Sequence, residues 1–168
     1  MTPAFEDIAW DTWTPTVEAT LCFVIRDSEV LLIRKKRGLG AGKINGPGGR
    51  IEAGETPHEC AIREVQEELC VTPTGVAAAG ELRFQFTDGM AMLGYVFTAT
   101  DCEGEACETE EAFPLWTALD AIPYERMWAD DELWFPHMLR GRRFAGHFLF
   151  DGDSMLGHAL DVALGDGR

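Results

Sequence analysis

The sequence predicts an α+β domain built as a mixed-sheet sandwich. Apolar segments of strand length recur along its 168 residues, one strongly capped amphipathic helix interrupts them, and turns rich in glycine and proline separate them. A chain of this length fits one domain with one substantial core. Its 46% hydrophobic and 26% charged residues are those of an ordinary folded domain.

In chain order, Thr16 to Ile25 reads as a buried strand and Val30-Leu31-Leu32-Ile33 as a second. Arg26-Asp27-Ser28-Glu29 between them makes the pair a hairpin. Gly38-Leu39-Gly40-Ala41-Gly42 and Asn45-Gly46-Pro47-Gly48-Gly49 are loops whose glycines permit close backbone approach to a ligand. Thr56 is a good N-cap, Pro57 suits the first helical position and Glu59 completes a capping box. Together they predict a helix to about Leu69, stopped by Thr72-Pro73-Thr74-Gly75. Leu82-Arg83-Phe84-Gln85-Phe86 alternates with period two, and Met92 to Thr100 is a longer apolar strand. Asp101 to Glu111 is an acidic connector. Thr117 to Ile122 is expected to form a short helix ended by Pro123, and Asp130 to Arg140 a further helix that Pro136 kinks or segments. Phe144 to Phe150 returns to strand, and Asp151-Gly152-Asp153 turns it into a final hairpin.

The net charge of −15 argues against a nucleic-acid polymer as partner. A small phosphorylated ligand remains compatible, because carboxylates loaded with divalent cations invert the local sign. No apolar run approaches the roughly 18 residues of a membrane span. Met1 to Thr16 carries no basic residue and no apolar stretch of a targeting segment, so a cytoplasmic protein without membrane contact is expected. Five cysteines without a CxxC pair read as free thiols of a reducing compartment. Cys102 and Cys107 lack the second ligand pair that a zinc site needs.

Glu64, Glu67 and Glu68 stand at i, i+3 and i+4 of the expected helix and share one face, while Ile62, Val65 and Leu69 mark the opposite, core-facing one. Like charges so placed repel, and a divalent cation removes that penalty. Mg²⁺ takes oxygen ligands and combines carboxylates with substrate phosphates. The flanking residues fit the same purpose: Gly48-Gly49 precede the helix, Glu55 sits before its cap, and Arg63 is placed to pair with a nearby acid.

Gly49, Glu55, Arg63-Glu64, Val65, Glu67-Glu68 and Val71 together resemble the box of the Nudix hydrolases; Cys70 alone departs, standing where that family has Gly. A non-Gly residue at a helix end that needs left-handed geometry costs some stability. The resemblance implies an α/β/α sandwich around a mixed, curved β-sheet. It also implies Mg²⁺-assisted hydrolysis of a nucleoside diphosphate derivative, with Mn²⁺ able to substitute. In that pattern Glu64, Glu67 and Glu68 are catalytic and hold metal, joined by Gly48 and Glu111. Gly49, Glu55 and Arg63 shape the motif. Spacing does not assign the general base among the glutamates.

Outside the box, Lys35-Lys36-Arg37-Gly38, Asn45-Gly46, Met127-Trp128, Asp130-Asp131 and Phe144 to Phe150 are similar to the animal-type MutT-homologue branch of that family, which acts on oxidised purine nucleoside triphosphates. The likeness runs from about Ala19 to Leu160. It implies that Asn45, Asp130 and Asp131 contact the base, that Trp128 and Phe84 line its pocket, and that Thr20, Leu21, Lys35, Gly48 and Gly49 lie nearby. Adjacent carboxyls suit a guanine-like edge: ionised they accept from its N–H groups, and a protonated one donates to its carbonyl. Taken alone, Asp130-Asp131 also reads as an ordinary helix N-terminus, Asn45 as a turn residue, and Trp134 and Phe135 as core. Ile44, Pro47 and Leu39 stand where the animal enzymes have aromatics.

The resulting expectation is an N-terminal extension, 1–16, and a hydrolase domain, 17–164. It releases monophosphate and pyrophosphate from oxidised purine nucleoside triphosphates, such as the 8-oxo or 2-hydroxy forms, and works as a monomer. The alternatives are hydrolysis of a dinucleotide or nucleotide sugar, and a non-catalytic nucleotide-binding module.

Overall fold

The protein is described here by a computed structural model covering residues 1–163, so the expected domain limit at 164 lies outside the described residues. The opening hairpin is β1 (Val17–Arg26) and β2 (Glu29–Lys35), and short strands β3 (Ile44–Asn45) and β4 (Gly48–Arg50) carry the glycine-rich loop. Helix α1 (Pro57–Leu69) follows, then β5 (Thr72–Thr74), β6 (Ala77–Phe86), β7 (Ala91–Ala99), β8 (Asp101–Glu103) and β9 (Ala112–Ala118). Helix α2 (Asp131–Leu139) precedes the last hairpin, β10 (Phe144–Asp151) and β11 (Ser154–Val162).

The main sheet runs β11-β10-β6-β7-β1-β2-β3, with β4 on β1 and β9 on β2. It is mixed: β1 pairs with β7 in parallel, as does β6 with β10, and the other ladders are antiparallel. Residues alternate between its faces. In β1, Phe23 enters one core while Cys22 and Val24 enter the other; in β2, Val30 and Leu32 oppose Leu31 and Ile33 in the same way. The first core is closed by Trp134, Phe135 and Met138 of α2, the second by Ala61, Val65 and Leu69 of α1. Both sheet faces are therefore apolar and covered, which makes the α/β/α sandwich. Trp134 and Phe135 are fully buried core residues.

The capped helix forms as its sequence dictates. Thr56 Oγ1 accepts from the Glu59 N–H at 3.1 Å, and the Glu59 carboxylate accepts from the Thr56 N–H at 3.2 Å. The helix ends at Cys70, which is left-handed at φ 67°. One expectation fails further on. Thr117 to Ile122 is not a helix: Ala112–Ala118 is strand, paired along its length with β2, and only a single 3-10 turn, Tyr124–Arg126, follows. Tertiary pairing with an apolar partner overrides the weak local preference. Within the acidic connector, β8 pairs with β5.

The cysteines also require correction. Cys22, Cys60 and Cys102 are free and buried, but Cys70 and Cys107 form a disulfide, with Cα atoms 5.9 Å apart. The Cys107 N–H donates to the Leu69 carbonyl at 3.0 Å, laying the connector against the end of α1. The free-thiol argument for a reducing compartment falls with that bond.

The first sixteen residues pack on the domain. The Trp10 ring stacks on His147 at 4.7 Å, Phe5 lies against Gly157, and Trp13 Nε1 donates to Gln85 Oε1 at 2.9 Å. No helix among the described residues is long and apolar enough to cross a membrane.

Candidate active site

Two features of α1 build the first half of the site. Its N-terminal half presents Arg63, whose Nε and Nη2 reach the two Glu55 oxygens at 2.6 and 2.9 Å, a bidentate pair. These bonds hold the Glu55 carboxyl down at about 2. Arg63 Nη1 also donates to Glu64 at 2.9 Å and Glu67 at 3.2 Å, and Nη2 to the Arg50 carbonyl at 3.2 Å. One guanidinium thus joins the loop before the helix, through Glu55 and the Arg50 carbonyl, to two of the helix's own acids, Glu64 and Glu67.

The second feature is a carboxylate cluster. Oxygens of Glu64, Glu68 and Glu111 lie within 4.8 Å of one another. Glu67, expected to share this face with Glu64 and Glu68, is exposed and turned toward Arg63. Glu64 and Glu68 are buried, and burial pushes both carboxyls up; Glu68 reaches about 8, helped by the charges of Glu64 and Glu111. Among the described residues, Glu68 Oε2 is buried without a hydrogen-bond partner. Three hard oxygen donors, crowded and partly unpartnered, fit a divalent cation: it would relieve the repulsion and fill the orphaned lone pairs. The glycines leave space for this cluster. A Cβ on Gly49 would lie 2.5 Å from the Glu64 carboxylate, and one on Gly48 only 1.8 Å from the Thr20 carbonyl oxygen.

Glu68 also lines a cleft of about 420 Å³ that runs to Trp128, Asp130 and Asp131. Thr20 and Leu21 of β1, Lys35 of β2, Asn45, Gly48 and Gly49 of the glycine-rich loop, and Phe84 of β6 line it as well. Asn45 Oδ1 accepts from the Gly46 N–H at 2.8 Å, which fixes the loop. Trp128 is held edge-on by Phe150 and Phe86, with ring centroids 5.5 and 6.2 Å away. Sequence reasoning missed Phe86, Met90 and Met92, which wall the cleft from β6, β7 and the turn between them. The period-two parity of Phe84 implicates Phe86; nothing local marks the methionines.

Asp130 and Asp131 are 2% and 4% exposed, so their apolar surroundings decide their chemistry. Asp130 accepts from Trp134 Nε1 at 2.8 Å, while Asp131 Oδ2 has no partner among the described residues. Burial raises Asp130 to about 6 and Asp131 well above the usual carboxylate range, the second further raised by the charge of the first. Both shifts favour the protonated form over two buried charges, so the pair can offer donor and acceptor side by side.

A sequence model of the NUDIX domain matches residues 15–138. The chain belongs to the NUDIX family. Among its NUDIX relatives, the oxidized purine nucleoside triphosphate hydrolase of Danio rerio is 44% identical over 144 residues, 84% of this chain and 92% of the relative. The oxidized purine nucleoside triphosphate hydrolase of Mus musculus is 39% identical over 143 residues, with the same coverage. Among solved NUDIX structures, a MutT protein of Bacillus halodurans superimposes with a TM-score of 0.78 at 30% identity, covering 86% of this chain and 97% of the other.

Proposed function

We propose that the protein hydrolyses oxidised purine nucleoside triphosphates to the monophosphate and pyrophosphate, removing damaged nucleotides from the pool. The observation that carries this reading is that one cleft joins the carboxylate cluster at Glu68 to the buried, proton-sharing pair Asp130 and Asp131. The near full-length relatives bear the corresponding name.

The residues divide the work. Asp130 and Asp131 bind the purine edge, the neutral carboxyl donating and the ionised one accepting, with Asn45 beside them. Trp128 and Phe84 flank the base. Lys35, beside Glu68 in the cleft, meets the triphosphate. Glu64, Glu68 and Glu111 would hold a divalent cation, Mg²⁺ or in its place Mn²⁺, with the backbone of Gly48 and the exposed carboxylate of Glu67 completing the set. When bound, that ion neutralises phosphate oxygens and lowers the pKa of water. Arg63 holds Glu64 and Glu55 in register. Water adds to phosphorus, the P–O bond to the pyrophosphate group breaks, and a carboxylate takes the water proton.

The test is pyrophosphate release across normal and oxidised purine triphosphates with Mg²⁺. Faster turnover of the 8-oxo or 2-hydroxy forms is expected. Two monophosphate products from a dinucleotide, with no turnover of any triphosphate, would overturn the reading. Glu64→Gln and Glu68→Gln should each lower kcat by about 10²-fold or more, consistent with disturbance of a metal site.

A further inference from the structure

The Cys70–Cys107 disulfide lies where it can act on the carboxylate cluster. Cys70 caps α1 three residues after Glu67 and two after Glu68, in left-handed geometry that favours glycine. Cys107 begins the segment that delivers Glu111. That segment is fastened to the helix end by three links: the disulfide, the Cys107 N–H on the Leu69 carbonyl at 3.0 Å, and Thr109 Oγ1 on the Glu68 carbonyl at 2.8 Å. The Thr109 hydroxyl in turn accepts from the Glu111 N–H at 3.3 Å. Glu111 has a rival partner, since Arg37 reaches its carboxylate at 3.2 Å from the exposed side. The linked cysteines are 37 positions apart in the chain, so once the covalent link is cut, the connector is held by these hydrogen bonds, by the Lys36 N–H on the Glu111 carbonyl at 3.0 Å and by the packing of Ala106 on the core beneath α1.

We infer that Cys70 and Cys107 are positioning residues: their disulfide tethers the connector to α1, holds Glu111 in the cluster with Glu64 and Glu68, and makes cation affinity depend on the redox state of the chain. The inference rests on the reading of that cluster as a cation site. Reduction by a dithiol breaks the S–S bond. The dithiol gives up two electrons and becomes a disulfide, and two protons end on the Cys70 and Cys107 thiols. Glu111 then exchanges toward Arg37 and solvent. The oxidised chain is the one with the complete cluster, which suits an enzyme acting on products of oxidation.

The experiment compares Mn²⁺ binding, read as loss of the free-ion electron paramagnetic resonance signal, in the full chain before and after dithiol reduction, with the reductant removed anaerobically. Thiol titration of the unfolded protein defines each state: three free thiols before, five after. Reduction should weaken Mn²⁺ binding about tenfold, the scale on which groups supporting a metal ligand act. Nucleotide binding in chelator, read by tryptophan fluorescence, should not change. In Glu111→Gln the redox dependence should vanish, because the tether then has no ligand to position. Cys107→Ser should bind as the reduced protein does, with or without dithiol. Equal Mn²⁺ affinity in the two wild-type states would overturn the tether and leave the cation site standing, as would five free thiols before reduction. Absence of Mn²⁺ binding in both states would overturn the cation site as well.

Discussion

Burying two neighbouring carboxyls costs free energy whenever both are charged, because neither water nor a cation in contact compensates them. Asp130, raised to about 6, binds its proton more tightly in the folded chain than in the unfolded one, where a carboxyl sits near about 3.9. Folded protein therefore holds more protons between those values, and stability falls as pH rises from about 4 through 6. Asp130→Asn, which keeps an acceptor for Trp134, should raise Tm by a few degrees at pH 8 and by little at pH 4. Thermal melts at the two values check the sign. The same substitution removes a movable proton, so kcat/KM should drop about tenfold for one of the two purine classes, 6-oxo or 6-amino, and less for the other. Full breadth retained across a panel of bases would contradict the proton-sharing role. Arg63→Lys tests the opposite kind of group. It keeps the charge and loses the fork that holds Glu55 while touching Glu64 and Glu67, so about a tenfold loss of kcat/KM is expected in steady-state assays.

The limits of α1 were legible because caps are local chemistry: Thr56, Pro57 and Glu59 act within one turn. Thr56→Ala should lower stability by about 1 kcal/mol in denaturant titration. The other end was legible in kind, since Cys70 stands at the glycine position and does adopt the left-handed conformation. Its bond to Cys107 was not, because no pattern in a 37-residue separation reports that a connector doubles back on a helix. Once that bond is reduced, Cys70→Gly should stabilise the chain by about 1 kcal/mol relative to reduced wild type, as the left-handed strain is relieved. Strand β9 shows the same limit. Phe113-Pro114-Leu115-Trp116 carries no clean alternation, and it becomes strand because β2 offers it an apolar edge.

At the scale of the molecule, the α/β/α layering could be anticipated from the alternation of apolar residues and from the motif, but the order of strands could not. The cleft shows why. Phe84 was found through resemblance, whereas Met90 and Met92 depend on which way the β6–β7 hairpin turns, and that is fixed by distant partners. One of these is the N-terminal segment: Trp13 bonds Gln85, whose Nε2 bridges the Phe86 and Met90 carbonyls at 3.0 and 3.3 Å. Removing residues 1–13 should lower Tm and raise KM for the nucleotide more than it lowers kcat. The parallel pairing of β1 with β7 joins Val17 to Met92, so the cleft wall closes only after a loop of more than seventy residues has been gathered in. Contacts of such sequence separation are slow to form, because chain entropy is lost before the pairing compensates it. Refolding from denaturant is therefore expected on the millisecond-to-second scale rather than in microseconds. Helical signal from α1 should appear no later than Trp128 reaches its native fluorescence, and nucleotide binding should return with the slower event. A nascent chain on the ribosome would hold the helix that carries Glu64 and Glu68 well before it held the cleft beside them.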